Sequence, residues 1–81
     1  MKMYKFLITQ GHGYLIVPIQ EVRNAIKQGL KISPYSALKN NNAYLEEDCD
    51  APAFMEFTGI TMKNVNRVFG SFDKNLYPAV K

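Results

Sequence analysis

The residues best suited to chemistry are the acids of the segment 46–56. Oxygen ligands of the kind that Ca²⁺ and Mg²⁺ prefer are supplied by Glu46, Glu47, Asp48 and Asp50. Their order lacks the alternating acids, central glycine and distal glutamate of a calcium-binding loop, so it predicts no metal site. Two interpretations remain. In one, Asp48 and Asp50 cap and charge a helix N-terminus; in the other, the acids form a face that binds a protein partner, and the two are compatible.

His12 and Cys49 are the candidates for acid–base or nucleophilic catalysis. His12 lies between Gly11 and Gly13, where it is expected to serve a turn together with the two glycines. Negative charge next to Cys49 disfavours the thiolate that would attack a substrate, so the thiol is expected to pack as a small hydrophobic group. The chain contains no nucleophile elbow, phosphate-binding loop or dinucleotide-binding motif. We therefore predict no catalytic residue, no metal and no cofactor.

The net charge of +3 conceals a strong segregation of charge. Five of the seven acids fall in residues 46–56, which carry −5, while the rest of the chain carries +8. The basic residues are scattered, and the alternative function, nucleic-acid binding, would use Arg23, Lys27, Lys31 and Arg67. No helix-turn-helix, RNA-recognition or zinc-finger pattern accompanies them. Binding of a protein partner is therefore the first expectation.

The first half of the chain predicts a hairpin followed by a helix. Residues 3–9 and 14–17 are rich in β-formers and are expected to pair across the turn at 11–13, whose glycines can supply positive φ. Pro18 suits the first turn of a helix. Apolar residues then recur at helical spacing up to Gly29, which is a natural end.

The second half predicts another hairpin and another helix. Asn40–Asn42 is expected to form a turn between arms 35–38 and 43–45, because asparagine tolerates left-handed backbone. A helix capped by Asp50 should then end at Gly59, with its inward face made of Ala53, Phe54 and Phe57. Residues 60–72 leave two alternatives: Val65, Val68, Phe69 and Phe72 fit helical spacing, whereas the asparagines and the lack of strong helix formers favour a strand, which is the expectation. Residues 1–81 form one domain, and about 73–81 are an irregular tail.

These elements predict an α+β fold of order β-β-α-β-β-α-(β), with two hairpins packed with two short helices. Two stretches of the sequence are more distinctive than the rest. One reads HGYLIVP and ends at Pro18; the other begins at Ser33-Pro34-Tyr35-Ser36 and leads to YLEEDCDAP at 44–52. Together they resemble a family of small uncharacterised proteins of bacteriophages and mobile elements, over roughly residues 11–58. The resemblance implies a phage or prophage origin and a compact α+β fold. The family has no assigned catalytic residues.

The expected function is that of an accessory protein that binds a host or phage protein, with inhibition of a host enzyme or defence complex as its task. The residues expected to contact the partner are Glu46, Glu47, Asp48, Tyr35 and Tyr44. The apolar stretch near the start is too short for a secretory signal, and a lone cysteine suits a reducing cytoplasm, that of the host if a phage encodes the chain. No apolar run approaches the roughly 20 residues that cross a bilayer, so no membrane partner is expected. Copies of the chain could also pair through free hairpin edges.

Overall fold

A computed structural model describes residues 2–80, in which one five-stranded sheet carries two α-helices. The strands are β1 (Tyr4–Ile8), β2 (Gly13–Pro18), β3 (Ala37–Lys39), β4 (Asn42–Glu46) and β5 (Val65–Phe69), and the helices are α1 (Ile19–Lys27) and α2 (Asp50–Thr58). The predicted α+β class is thereby confirmed. Met1 and Lys81, which belong to the predicted domain and tail, lie outside the described residues.

The two predicted hairpins are present but they belong to one sheet, whose order is β3-β4-β2-β1-β5. Strand β2 pairs antiparallel with both β1 and β4, and this joins the hairpins edge to edge. Strand β5 runs parallel to β1, a direction that requires a crossover connection. The second hairpin starts later than predicted, because β3 begins at Ala37 and Tyr35 lies in the turn before it.

The two hairpin turns are made in different ways. Asn40 and Asn41 have φ of 49° and 64°, the left-handed pair typical of tight two-residue hairpins, as predicted. In the first hairpin Gly11 has a φ of 89°, whereas Gly13 lies in β2 without a positive φ. A Cβ at Gly13 would lie 2.7 Å from Cε1 of Phe6. The expectation that Gly13 supplies positive φ is therefore wrong; the absence of a side chain here leaves room for the ring of Phe6 and the carboxylate of Glu47.

The hydrophobic core lies between the sheet and the two helices. Leu15 and Leu45 face each other on adjacent strands and are fully buried. Val22 of α1 and Phe54 of α2 pack in the same cluster, in agreement with the predicted helical spacing. Phe57 was expected to face inward, but it is 42% exposed. Its neighbours from α1 include the polar side chains of Glu21 and Asn24, which leave part of its ring exposed.

The C-terminal segment covers the opposite face of the sheet. The ring of Phe72 stacks on Tyr44 at a centroid distance of 4.3 Å and on Tyr77 at 5.2 Å, and it meets Tyr14 edge-on at 5.0 Å. Such aromatic pairs add to the stabilisation that burial alone provides. The aromatic cluster Tyr14–Tyr44–Phe72–Tyr77 therefore fastens this segment to the sheet.

The segment then follows the edge of the sheet, so the prediction of an irregular tail is wrong for its described part. Lys74–Leu76 forms a 3₁₀ turn, and Ala79 bridges Ala37 in antiparallel orientation. The N–H of Leu38 donates to the carbonyl of Pro78 at 2.8 Å. The predicted strand within residues 60–72 is confirmed as β5.

Candidate functional site

The acids at 46–48 surround the end of β4 instead of sharing one face. Glu46 is opposite Tyr14 in the register of β4 and β2, so its side chain is on the face away from the helices. Glu47 lies on the helix side, where its Oε2 would be 3.0 Å from a Cβ at Gly13. Asp48 is exposed, and its N–H donates to Oε2 of Glu46 at 3.1 Å. The negative charge is therefore concentrated at one end of the sheet.

A cavity of about 240 Å³ opens beside Glu46. Its lining residues are His12, Tyr14, Tyr35, Glu46 and Lys74. Nζ of Lys74 lies 4.9 Å from the centroid of the Tyr35 ring, and Tyr35 is itself 58% exposed. The structure thus brings together Tyr35 and Glu46, two residues predicted to contact a partner. Lys74 was missed because the sequence around it predicts an irregular tail.

Asp50 is buried beneath this site, with 1% of its surface exposed. Its Oδ1 accepts from the N–H of Ser33 at 2.9 Å, and its Oδ2 accepts from the hydroxyl of Ser33 at 2.7 Å and from the hydroxyl of Ser36. Helix α2 begins at Asp50, with Cys49 in the N-cap position and no side-chain capping bond. The prediction that Asp50 caps this helix is therefore wrong. Its carboxylate instead holds the preceding loop.

The same two serines connect Asp50 to the site residues. The hydroxyl oxygen of Ser36 accepts from the N–H of Glu46 at 3.0 Å. The hydroxyl oxygen of Ser33 accepts from the N–H of Tyr35 at 3.2 Å. Since polar groups removed from water cost free energy unless they are hydrogen-bonded, the part-buried bond to Ser36 restrains the backbone at Glu46. The bond to Ser33 is exposed and adds a weaker restraint at Tyr35. Asp50 therefore positions Tyr35 and Glu46 relative to each other.

The two tyrosines of the sheet beside the cavity have internal roles. Tyr44 is half-buried, and one face of its ring is occupied by Phe72. Burial raises the pKa of Tyr14 above its ordinary value, and the negative charges of Glu46 and Asp73 raise this pKa further.

The remaining chemical candidates lie apart. Cys49 is exposed, so the expectation that it packs as a hydrophobic group is wrong, because its N-cap position leaves it on the surface. His12 is exposed and lines the cavity, and Cys49 is not among the cavity's lining residues. Within residues 2–80, no three His, Cys, Asp or Glu side chains are grouped so that they could hold a metal ion. Pro18 ends β2 and occupies the N-cap position of α1.

The residues predicted for nucleic-acid binding are divided between two parts of the fold. Arg23 and Lys27 are exposed on α1, and Lys31 is exposed shortly after it. Arg67 lies on β5 and lines a groove together with Glu47. Helix α1 packs mainly on α2, β2 and β4, whereas β5 packs on β1. Arg67 thus belongs to a surface that also carries an acid.

Fold and site together define a small α+β domain whose mixed sheet carries helices on one face and its own C-terminal segment on the other. Comparisons with protein-family models, curated proteins and solved structures find no match to this chain. The resemblance to small phage proteins therefore stays a prediction. Neither α-helix in the described residues has the length and apolar character needed to cross a bilayer.

Proposed function

We propose that this chain is an accessory protein that acts by binding another protein, without catalysis, through the end of the sheet that carries Tyr35, Glu46, Glu47 and Asp48. The observation that supports this most directly is the buried network of Asp50. It restrains the backbone of an exposed tyrosine and of an acid beside it. Tyrosines anchor many protein interfaces because they bury a large area with few rotatable bonds.

The charge of this surface suggests the chemistry of the partner. Within residues 2–80, the ion pair between side chains is that of Lys2 with Glu21. The carboxylates at the end of β4 therefore form no ion pair within these residues and can pair with a basic group of another protein. A basic protein surface is their complement, and complementary charge accelerates association. The nucleic-acid-binding sites of proteins are basic surfaces of this kind. Occlusion of that surface is the mechanism that we propose.

The resemblance to phage proteins suggests where such a partner is found. A phage-encoded binding protein would act in the host cytoplasm, on a host or phage protein. Inhibition of a host enzyme or of a defence complex fits an acidic surface that competes with nucleic acid for a basic site.

Affinity purification from expressing cells tests the proposal. Wild-type chain should retain a partner that the triple variant Glu46→Lys, Glu47→Lys and Asp48→Lys loses, because the reversed charges repel a basic surface. Glu56→Lys is the matched control, since Glu56 is an exposed acid on α2 away from this end. Retention of the same partners by the triple variant would contradict the proposal.

A second measurement separates protein binding from nucleic-acid binding. Binding of the wild-type chain to duplex DNA would weaken steeply as salt rises if phosphate contacts carried it. The proposal predicts no such binding at low salt. A salt-sensitive complex that is lost in the combined variant Arg23→Glu and Lys27→Glu would favour the alternative.

A further inference from the structure

The two edges of the sheet differ in how they are covered. At the β3 edge, the N–H of Leu38 donates to Pro78, and the N–H of Val80 donates to the carbonyl of Ser36 at 3.3 Å. At the other edge, β5 pairs with β1 on one side and, within residues 2–80, with no strand on its outer side. An edge of this kind is a template for pairing with another chain.

The outward backbone groups of β5 can be assigned from one hydrogen bond. The N–H of Gly70 donates to the carbonyl of Ile8 at 3.1 Å. In a parallel pair the backbone groups of alternate residues point to the same neighbour. Residues 66 and 68 therefore also face β1, and Arg67 and Phe69 direct their N–H and C=O groups outward. The N–H of Val65 is already used, because it donates to the carbonyl of Met62.

The side chains on this edge are suited to a contact. Arg67 is opposite Phe6 and Phe69 is opposite Ile8, so both side chains are on the helix side of the sheet. Phe69 is 84% exposed. A groove of about 530 Å³ on the same side of the sheet is lined mainly by apolar residues, and its charged lining residues are Arg67 and Glu47. The open edge thus combines an exposed aromatic ring with a cation and an apolar groove.

We propose that β5 pairs antiparallel with β5 of a second copy of this chain, about a two-fold axis at Val68. In this register Arg67 is opposite Phe69 of the partner subunit, and the same contact recurs on the other side of the axis because a two-fold interface is self-complementary. Arg67 and Phe69 both direct backbone groups outward, so they can exchange a pair of N–H···O=C bonds. The two sheets become one continuous sheet.

Charge disfavours the neighbouring register on one side. An axis at Arg67 would place two guanidinium groups opposite each other, which is destabilising. An axis at Val68 places each guanidinium against an aromatic ring instead, and this arrangement is attractive. It also brings the exposed ring of Phe69 toward the apolar groove of the other copy. Glu47 lines this groove as well as belonging to the surface of the proposed function, whereas Arg67 and Phe69 belong to the edge alone, and the test needs no partner from the cell.

Sedimentation equilibrium of the purified chain tests the pairing. The apparent mass should rise from 9.2 kDa toward twice that value with concentration. Phe69→Lys should raise the dimer dissociation constant at least about tenfold, because two cation–ring contacts become two like-charge contacts. Leu76→Lys is the matched control, since Leu76 is 74% exposed and lies in the C-terminal segment. It should leave the dissociation constant unchanged.

A charge exchange tests the register itself. Arg67→Glu combined with Phe69→Lys places opposite charges across the proposed axis, so this double variant should dimerise more tightly than Phe69→Lys alone. Hydrogen exchange supplies a second readout, in which the amides of Arg67 and Phe69 gain protection as concentration rises. Circular dichroism verifies that each variant is folded.

Three results would overturn the proposal. The first is a wild-type chain that stays monomeric up to about 1 mM, where even weak complexes form. The second is a dimer that Phe69→Lys leaves intact. The third is a double variant no tighter than Phe69→Lys, which would reject the register about Val68.

Discussion

The hydroxyl of Ser36 donates a hydrogen bond to the buried carboxylate of Asp50, and the same oxygen accepts the N–H of Glu46. This one side chain links the start of α2 to the end of β4. The loop that carries Tyr35 is bound to the same carboxylate through Ser33. The candidate site is therefore held by a buried polar network beneath it.

Removal of the Asp50 carboxylate should destabilise the domain strongly. Asp50→Ala leaves the buried hydroxyl of Ser36 without its acceptor, at a cost of about 1–3 kcal/mol. The two donors of Ser33 also lose their acceptor, but they are only part-buried, so water can replace part of that loss. We expect the free energy of unfolding to fall by about 2–4 kcal/mol in urea titrations. Asp48→Ala, at an exposed acid, should change it by less than about 0.5 kcal/mol. Equal losses in the two variants would contradict the role given to Asp50.

Addition of one methyl group at Gly13 should also destabilise the fold. Gly13→Ala places a Cβ 2.7 Å from the ring of Phe6, which forces the ring or the strand to move, at a cost of about 1–3 kcal/mol. Combination with Phe6→Leu should recover part of this loss, because the smaller side chain vacates the space. Thermal unfolding of the four chains in this cycle measures the coupling. Additive losses would show that the two residues do not compete for space.

Stability should decline in alkali because of Tyr14. Burial raises the pKa of Tyr14 in the folded state, so the folded chain keeps a proton that the unfolded chain releases above a pH of about 10. The contribution is fully present below that pH and is lost as pH rises through the folded-state pKa. Tyr14→Phe should therefore show a shallower fall in urea midpoint between neutral and alkaline pH than wild type. Parallel profiles would contradict this prediction.

Truncation of Phe72 should release the C-terminal segment. Phe72→Ala removes the ring that contacts Tyr14, Tyr44 and Tyr77, with an expected loss of about 2 kcal/mol for a half-buried aromatic side chain. The amides of Leu38 and Val80 should then exchange faster, because their hydrogen bonds to Pro78 and Ser36 join this segment to the edge of the sheet at β3. Leu76→Ala, at an exposed position, should leave both amides protected. Unchanged exchange in Phe72→Ala would show that the ring does not hold the segment.

Local patterns predicted the elements because each rests on residues near one another in the chain. Asn40 and Asn41 take the left-handed conformation that their side chains tolerate, and the spacing of Val22 and Ala25 indicated the buried stripe of α1. The grouping of Tyr35 with Glu46 was likewise predicted, as two members of one partner-binding surface.

The features that the sequence did not predict depend on contacts between residues that are distant in the chain. Asp50 has the residue type and position of a helix cap, and only the tertiary structure places Ser33 and Ser36 against its carboxylate. Lys74 reaches the cavity because Phe72 fastens the chain to the far face of the sheet. No local propensity encodes either placement. The exposure of Phe57 has the same origin, since it depends on which side chains α1 offers at that point.

The C-terminal cover over β3 determines how far association through strand edges can proceed. A sheet with two free edges can add copies on both sides without limit, and such growth produces fibres. Here Pro78 and Val80 are hydrogen-bonded to the edge at β3. Pairing at β5 therefore occupies the second edge, and assembly stops at the dimer. A chain shortened before Pro78 should lose this stop and polymerise, with thioflavin fluorescence rising over time while the full chain stays in solution.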